Sequence, residues 1–121
     1  MTSRIFYPRS KIWIEDDEAN VVFGLGRYRI LTQIKEKGSI LAAAKELKMS
    51  YKGIWSRIKA TEERLGEDLL VKTVGGKKGG GSQLTPLAEK LVDAFGKALS
   101  SVEKEVDTQL EDALQKYIKI G

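Results

Sequence analysis

Between Lys48 and Ala60 the chain carries Lys48, Lys52, Arg57 and Lys59 and no carboxylate; Glu62 and Glu63 follow only at the far end. Residues of this kind can neutralise phosphates and donate hydrogen bonds to base edges. The alternative is a solvated lysine face on an ordinary helical core, and charge alone does not separate the two. Two more lysines, Lys77 and Lys78, sit in "GGKKGGGS" (75–82), on a backbone too rich in glycine to pack. There they could add phosphate contacts.

Other chemistries are poorly supplied. The 121 residues contain no histidine and no cysteine, which removes the usual general base, thiolate nucleophile and zinc ligands. The acid-rich "EDDE" (15–18) suits a turn better than a catalytic carboxylate pair. Neither glycine-rich stretch is a nucleotide loop. From Gly75 the phosphate-loop pattern reaches Gly80 but then requires lysine where Gly81 stands, and "GLGRYR" lacks a third glycine. No enzyme, metal or cofactor is expected. A hydrophobic content of 41%, a net charge of +4 and a pI near 9.3 fit one modest core and an anionic partner. No signal peptide or membrane-length apolar run occurs, so a soluble cytoplasmic protein is expected.

The elements that must position the lysines follow from periodicity. "KIWIE" (11–15) alternates and "VVF" (21–23) can return beside it as a hairpin. From Arg27, Tyr28, Ile30, Leu31 and Ile34 recur at helical spacing up to Gly38. Ser39 then caps "ILAAAKEL", and Ser50 caps "YKGIWSRIKATEERL", which Gly66 closes. "DLLVKTV" (68–74) reads as a strand, "GGKKGGGS" as a flexible loop and "QL" as a returning stub. Thr85 and Pro86 open a last helix running to about Ile118. The spacing predicts a single domain over 1–121, mainly α within an α/β class. Its core spans 10–90 and its long helix 85–118.

The three-residue break "KMS" then has a purpose. Helix, tight turn and second helix is the helix-turn-helix arrangement. At ~100° per residue, Ile54, Ile58, Thr61 and Leu65 fall on one side of the second helix and Lys52, Ser56, Lys59 and Glu63 on the other. The first side can pack on Ile40, Ala43, Ala44 and Leu47, while the second is presented N-terminus first, where the helix dipole adds to the side-chain charge. In the last helix, Phe95, Leu99, Val102 and Val106, followed by Leu110 and Leu114, make an apolar stripe close to coiled-coil spacing. The stripe is too long for one small domain to cover, so a homodimer through these six residues is expected.

Four separated motifs, "GSI..AAK", "MSYKGIW", "GGKKGGGS" and "LTPLAEKL", occur here in the order found in one family. Over roughly residues 10–95 the chain resembles the N-terminal DNA-binding domain of the molybdate-responsive regulator ModE family, a relative of LysR-type winged helices. The resemblance implies a winged helix-turn-helix that binds double-stranded operator DNA as a dimer; two copies related by a two-fold axis would then call for a pseudo-palindromic site. It places Ser50, Tyr51, Lys52, Ser56 and Arg57 at the recognition-helix contacts and Lys77 and Lys78 in the wing; Ser39 and Lys59 complete the candidate DNA-contact set. That family's oxyanion-binding modules follow the DNA-binding domain. None follows before Gly121, so molybdate binding is not expected. The competing readings are an architectural or non-specific DNA-binding protein and a helical protein–protein interaction module.

Overall fold

The computed structural model describes residues 3–73 and 81–121. Strands and helices follow one another as β1 (Ile5–Phe6), β2 (Trp13–Glu15), β3 (Val21–Gly24), α1 (Leu25–Lys37), α2 (Ile40–Leu47), α3 (Tyr51–Leu65), β4 (Leu70–Thr73), β5 (Gly81–Leu84), α4 (Pro86–Leu114) and β6 (Lys119–Ile120). The strands pair in twos. β2 and β3 form an antiparallel hairpin whose register shifts between Ile14 and Glu15, and β4 and β5 form a second, the wing. β1 pairs with β6 in parallel.

Each helix begins and ends where local chemistry dictates. The Ser39, Ser50 and Thr85 hydroxyls accept from the amides of Ala42, Gly53 and Ala88, satisfying donors that the first helical turn leaves open. Gly38 and Gly66 close α1 and α3 in the left-handed conformation. Lys48 ends α2 in that same conformation, with φ 56° and ψ 42°, which is uncommon for a side chain other than glycine. That one residue turns the chain sharply enough for α3 to start three residues later.

The core lies between α1, α2, α3, β3 and the start of α4, around Phe23, Leu31, Ile34, Ile54, Ile58 and Leu69. A side chain of this size buried in full contributes roughly 1.5–3 kcal/mol. Thr61 is buried on the same face of α3, and its hydroxyl donates to the Val22 carbonyl at 2.8 Å. Gly96 allows α4 to approach α1 closely, since a Cβ there would stand 2.8 Å from the Tyr28 hydroxyl oxygen. Among the described residues no helix is long and apolar enough to cross a membrane.

Several sequence expectations need correction. β2 begins at Trp13, not Lys11, and α1 begins at Leu25, not Arg27, because Gly24 in extended backbone serves as its N-cap. Gly81 and Ser82 belong to a strand instead of the flexible loop. α4 stops at Leu114 instead of reaching Ile118: Tyr117 and Ile118 both donate to the Leu114 carbonyl, and the chain turns into β6. Phe95 faces the chain's own core, 6% exposed, with its ring edge-on to Phe23 at 5.2 Å and tilted against Tyr28 at 5.3 Å. It is therefore covered from within and leaves the expected dimer set. Leu99 also packs in part against the core, whereas Val102, Val106, Leu110 and Leu114 lie beyond it.

Candidate nucleic-acid interface

The recognition helix α3 separates its residues by angle. Ile54, Ile58 and Thr61 point inward, while Lys52, Ser56 and Glu63 are exposed. Tyr51, Trp55 and Lys59 lean toward the wing. With Leu41, Lys72 and Ser82 they line a groove of about 570 Å³. Trp55 is 46% exposed, a large apolar surface on a helix otherwise presented to solvent by polar groups. The sequence reading passed over it, although its position, ~100° round from Ile54, already excluded it from the buried face. Leu41 and Lys72 were missed as well, because only the tertiary arrangement brings α2 and β4 beside α3.

The expected contact residues do not all stand alike. Lys52 and Ser56 are exposed, and Tyr51 is half exposed at the start of the helix. Ser39 and Ser50 are tied up as caps through their oxygens, which leaves each hydroxyl proton to donate outward. Arg57 folds back along its own helix, where its Nη1 donates to the Gly53 carbonyl at 3.0 Å. Lys59 is doubly engaged: its Nζ lies 3.0 Å from Glu62 Oε1 and 5.7 Å from the centre of the Trp55 ring. Its charge is thus partly neutralised within the protein. Lys77 and Lys78 lie outside the described residues.

The wing is fixed against the helices at two places. On one side the Ser82 amide donates to the Gly38 carbonyl at 2.8 Å. Only glycine fits at position 81 there, because a Cβ would come within 2.4 Å of that carbonyl oxygen and 2.9 Å of Thr73 Oγ1. On the other side Glu62, 7% exposed, accepts from the Leu69 amide at 2.7 Å and the Leu70 amide at 3.4 Å. Burial raises the Glu62 carboxyl, but these amides and the Lys59 ammonium pull it down further, and it settles below its ordinary 4.5. A carboxyl lowered in the folded state stabilises fully above its unfolded value and ceases to do so as pH falls through the folded one. Glu62→Gln is expected to cost about 1–3 kcal/mol at neutral pH and to remove part of the stability lost on acidification. Urea unfolding at pH 7 and at pH 3 would reveal this; equal losses at both pH values would mean the charge is not what holds the wing.

Helix-turn-helix, half-exposed recognition face and seated wing are together the parts of a winged helix-turn-helix. The family model described as "Bacterial regulatory helix-turn-helix protein, lysR family" matches residues 25–89, from the start of α1 into the start of α4. The chain belongs to that family. Among its relatives, molybdenum-pterin-binding protein MopB of Rhodobacter capsulatus is 38% identical over 99 residues, 76% of this chain and 37% of MopB. Transcriptional regulator ModE of Haemophilus influenzae is 42% identical over 69 residues, 57% of this chain and 27% of ModE. The chain spans about a third of the length of such relatives. Among solved structures, the BenM_DBD/benA site 1 DNA complex is similar with a TM-score of 0.56 at 26% identity, over 74% of this chain and 94% of that one. The lysR-family match spans the helix-turn-helix and the wing strands, and relatives named ModE agree with the family resemblance of the sequence.

Proposed function

We propose that this chain is a sequence-specific double-stranded DNA-binding transcriptional regulator, with α3 reading the major groove and the wing touching the adjacent backbone or minor groove. One observation carries the reading: α3 buries Ile54, Ile58 and Thr61 yet leaves Lys52 and Ser56 exposed at its N-terminal half. The dipole and the side-chain charge both favour phosphate and base acceptors there. The family membership and the DNA complex of the similar BenM structure support it. Lys52, Ser56, Tyr51 and Trp55 are assigned to the base edges and neighbouring backbone, and Ser39, Ser50, Lys72, Lys77 and Lys78 to phosphates. Residues 10–90 form the DNA-binding core of a single domain, and α4 beyond Leu99 pairs two copies on a pseudo-palindromic operator.

Selection of sites from random duplex DNA tests this directly. A winning sequence should bind at least about 10³-fold more tightly than unrelated duplex at the same salt. Lys52→Ala should weaken that binding and, where Lys52 meets a base edge, relax preference at one position by ~1–3 kcal/mol. Equal affinity for all sequences would instead favour an architectural protein held by phosphates alone.

A further inference from the structure

Arg57 and Arg64 lie on the flank of α3 away from the wing, and Arg64 donates to the carbonyl of Val21, which lines one notch together with Arg27. Arg57 and Arg64 are seven residues apart on α3, roughly half a turn round the helix from Trp55 and Lys59 at ~100° per residue, and Arg27 comes in from the first turn of α1. Burial, then the charges of Arg57 and Arg64, hold the Arg27 guanidinium below its ordinary value. Its Nε is buried and has no hydrogen-bond partner. Arg57 and Arg64 each donate one hydrogen bond to a backbone carbonyl, Gly53 at 3.0 Å and Val21 at 2.8 Å. Among the described residues none of the three forms a salt bridge.

Two carboxylates of the β2–β3 hairpin stand by this group, and both are engaged. Asp16, which senses the charge of Arg64, accepts from the amides of Glu18 and Asn20 at 2.9 Å and from the Asn20 side chain at 3.1 Å. Glu15 accepts from the Trp13 indole at 2.7 Å. Beside the first turn of α1 a notch of about 360 Å³ remains, lined by Lys11, Trp13, Glu15, Gly24, Gly26 and Arg27. A Cβ at Gly26 would meet nothing within 4 Å, so the approach is open. A guanidinium half withdrawn from water, with two like charges beside it and no salt bridge of its own among the described residues, is an unfavourable arrangement by itself. The planar guanidinium fork suits phosphate oxygens, and one such group would offset the repulsion among all three.

We propose that Arg27, Arg57 and Arg64 form a phosphate seat occupied by a phosphodiester of the DNA backbone. The assignment rests on the DNA-binding reading of α3. A helix in the major groove has a sugar–phosphate backbone on either flank; the wing with Lys72 covers one, and the arginines stand at the other. Both strands are then held, and the recognition helix is fixed in register between them.

The test compares the full chain with Arg27→Gln, Arg27→Lys and Lys52→Ala, on operator and unrelated duplex over a range of salt, with the melting temperature of each free protein. Arg27→Gln should weaken binding to both duplexes by about 5- to 10-fold and lower the salt slope by about 1, whereas Arg27→Lys should keep most of the slope. Because Arg27→Gln removes a repelling charge, the free protein should melt no lower than the wild type, a sign opposite to that of a structural residue. Unchanged affinity and slope, with Lys52→Ala still impaired, would overturn the seat and leave the reading of α3 intact. A melting temperature that falls in step with affinity would also overturn it. If wild type shows no preference for operator and Lys52→Ala changes nothing, the DNA reading itself fails and the seat with it. Titration of inorganic phosphate in the absence of DNA separates the two phosphate sources: saturable one-to-one binding lost in Arg27→Gln would assign the seat to a free anion instead.

Discussion

Val106→Glu combined with Leu110→Glu should turn a dimer into a monomer and lower operator affinity by roughly 10²- to 10⁴-fold, the usual gain from linking two binding events. α4 has 29 residues and at ~1.5 Å per residue reaches about 43 Å, while its only buried side chains are Ala88 and Phe95 in the first third. Beyond Leu99 no side chain of the stripe is fully buried among the described residues: Val102, Val106 and Leu114 are half-buried and Leu110 is 38% exposed. Two copies packed along this stripe would bury it; two glutamates per chain would instead place unpaired carboxylates across the two-fold axis, at a cost that burial cannot offset. Both positions lie outside the core, so the helical signal and melting of the winged domain should hardly change. Light scattering at tens of micromolar gives the first answer. A wild-type monomer, or a double variant that remains dimeric with full operator affinity, would remove α4 as the dimer element.

Phe95→Ala should act differently, although the residue lies in the same apolar stripe. Its ring fills the space between Phe23 and Tyr28, and truncating a buried phenylalanine costs about 3–5 kcal/mol through lost transfer energy and the cavity left behind. For a domain with ~5–15 kcal/mol in total, that is a large fraction. The urea midpoint of each protomer should fall steeply, with the dimer retained wherever the chain is still folded. A Phe95→Ala protein of wild-type midpoint but monomeric state would instead restore Phe95 to the dimer surface. The two variants therefore divide α4 into a part that completes the core and a part that is left over.

What the sequence determines alone here is local. Ser39, Ser50 and Thr85 each cap an amide three residues ahead, and Gly38 and Gly66 each bond the carbonyl four residues behind. Such signals are complete within one turn of chain, so the helix-turn-helix, its inward face and the hairpin position of the wing were legible without coordinates. The acid-rich turn was legible for the same reason, since Asp16 bonds the amides two and four residues on. What the tertiary structure decides is every choice between two permissible partners. Phe95 satisfies the spacing of a dimer seam equally well facing a second copy or Phe23, and only packing against α1 and β3 selects the latter. Arg57 reads by position as a contact of the recognition face, whereas the fold sets it on the flank that also holds Arg64, with Arg27 of α1, 30 residues earlier, close enough to feel its charge. Lys59 looks free until Glu62, drawn inward by the Leu69 amide, takes up part of its charge. The pairing of β1 with β6 joins residues more than a hundred positions apart through two-residue strands, too short for any periodicity to register. Local hydrogen bonds are specified by the residues that make them, whereas long-range contacts depend on which surfaces the whole fold has already covered.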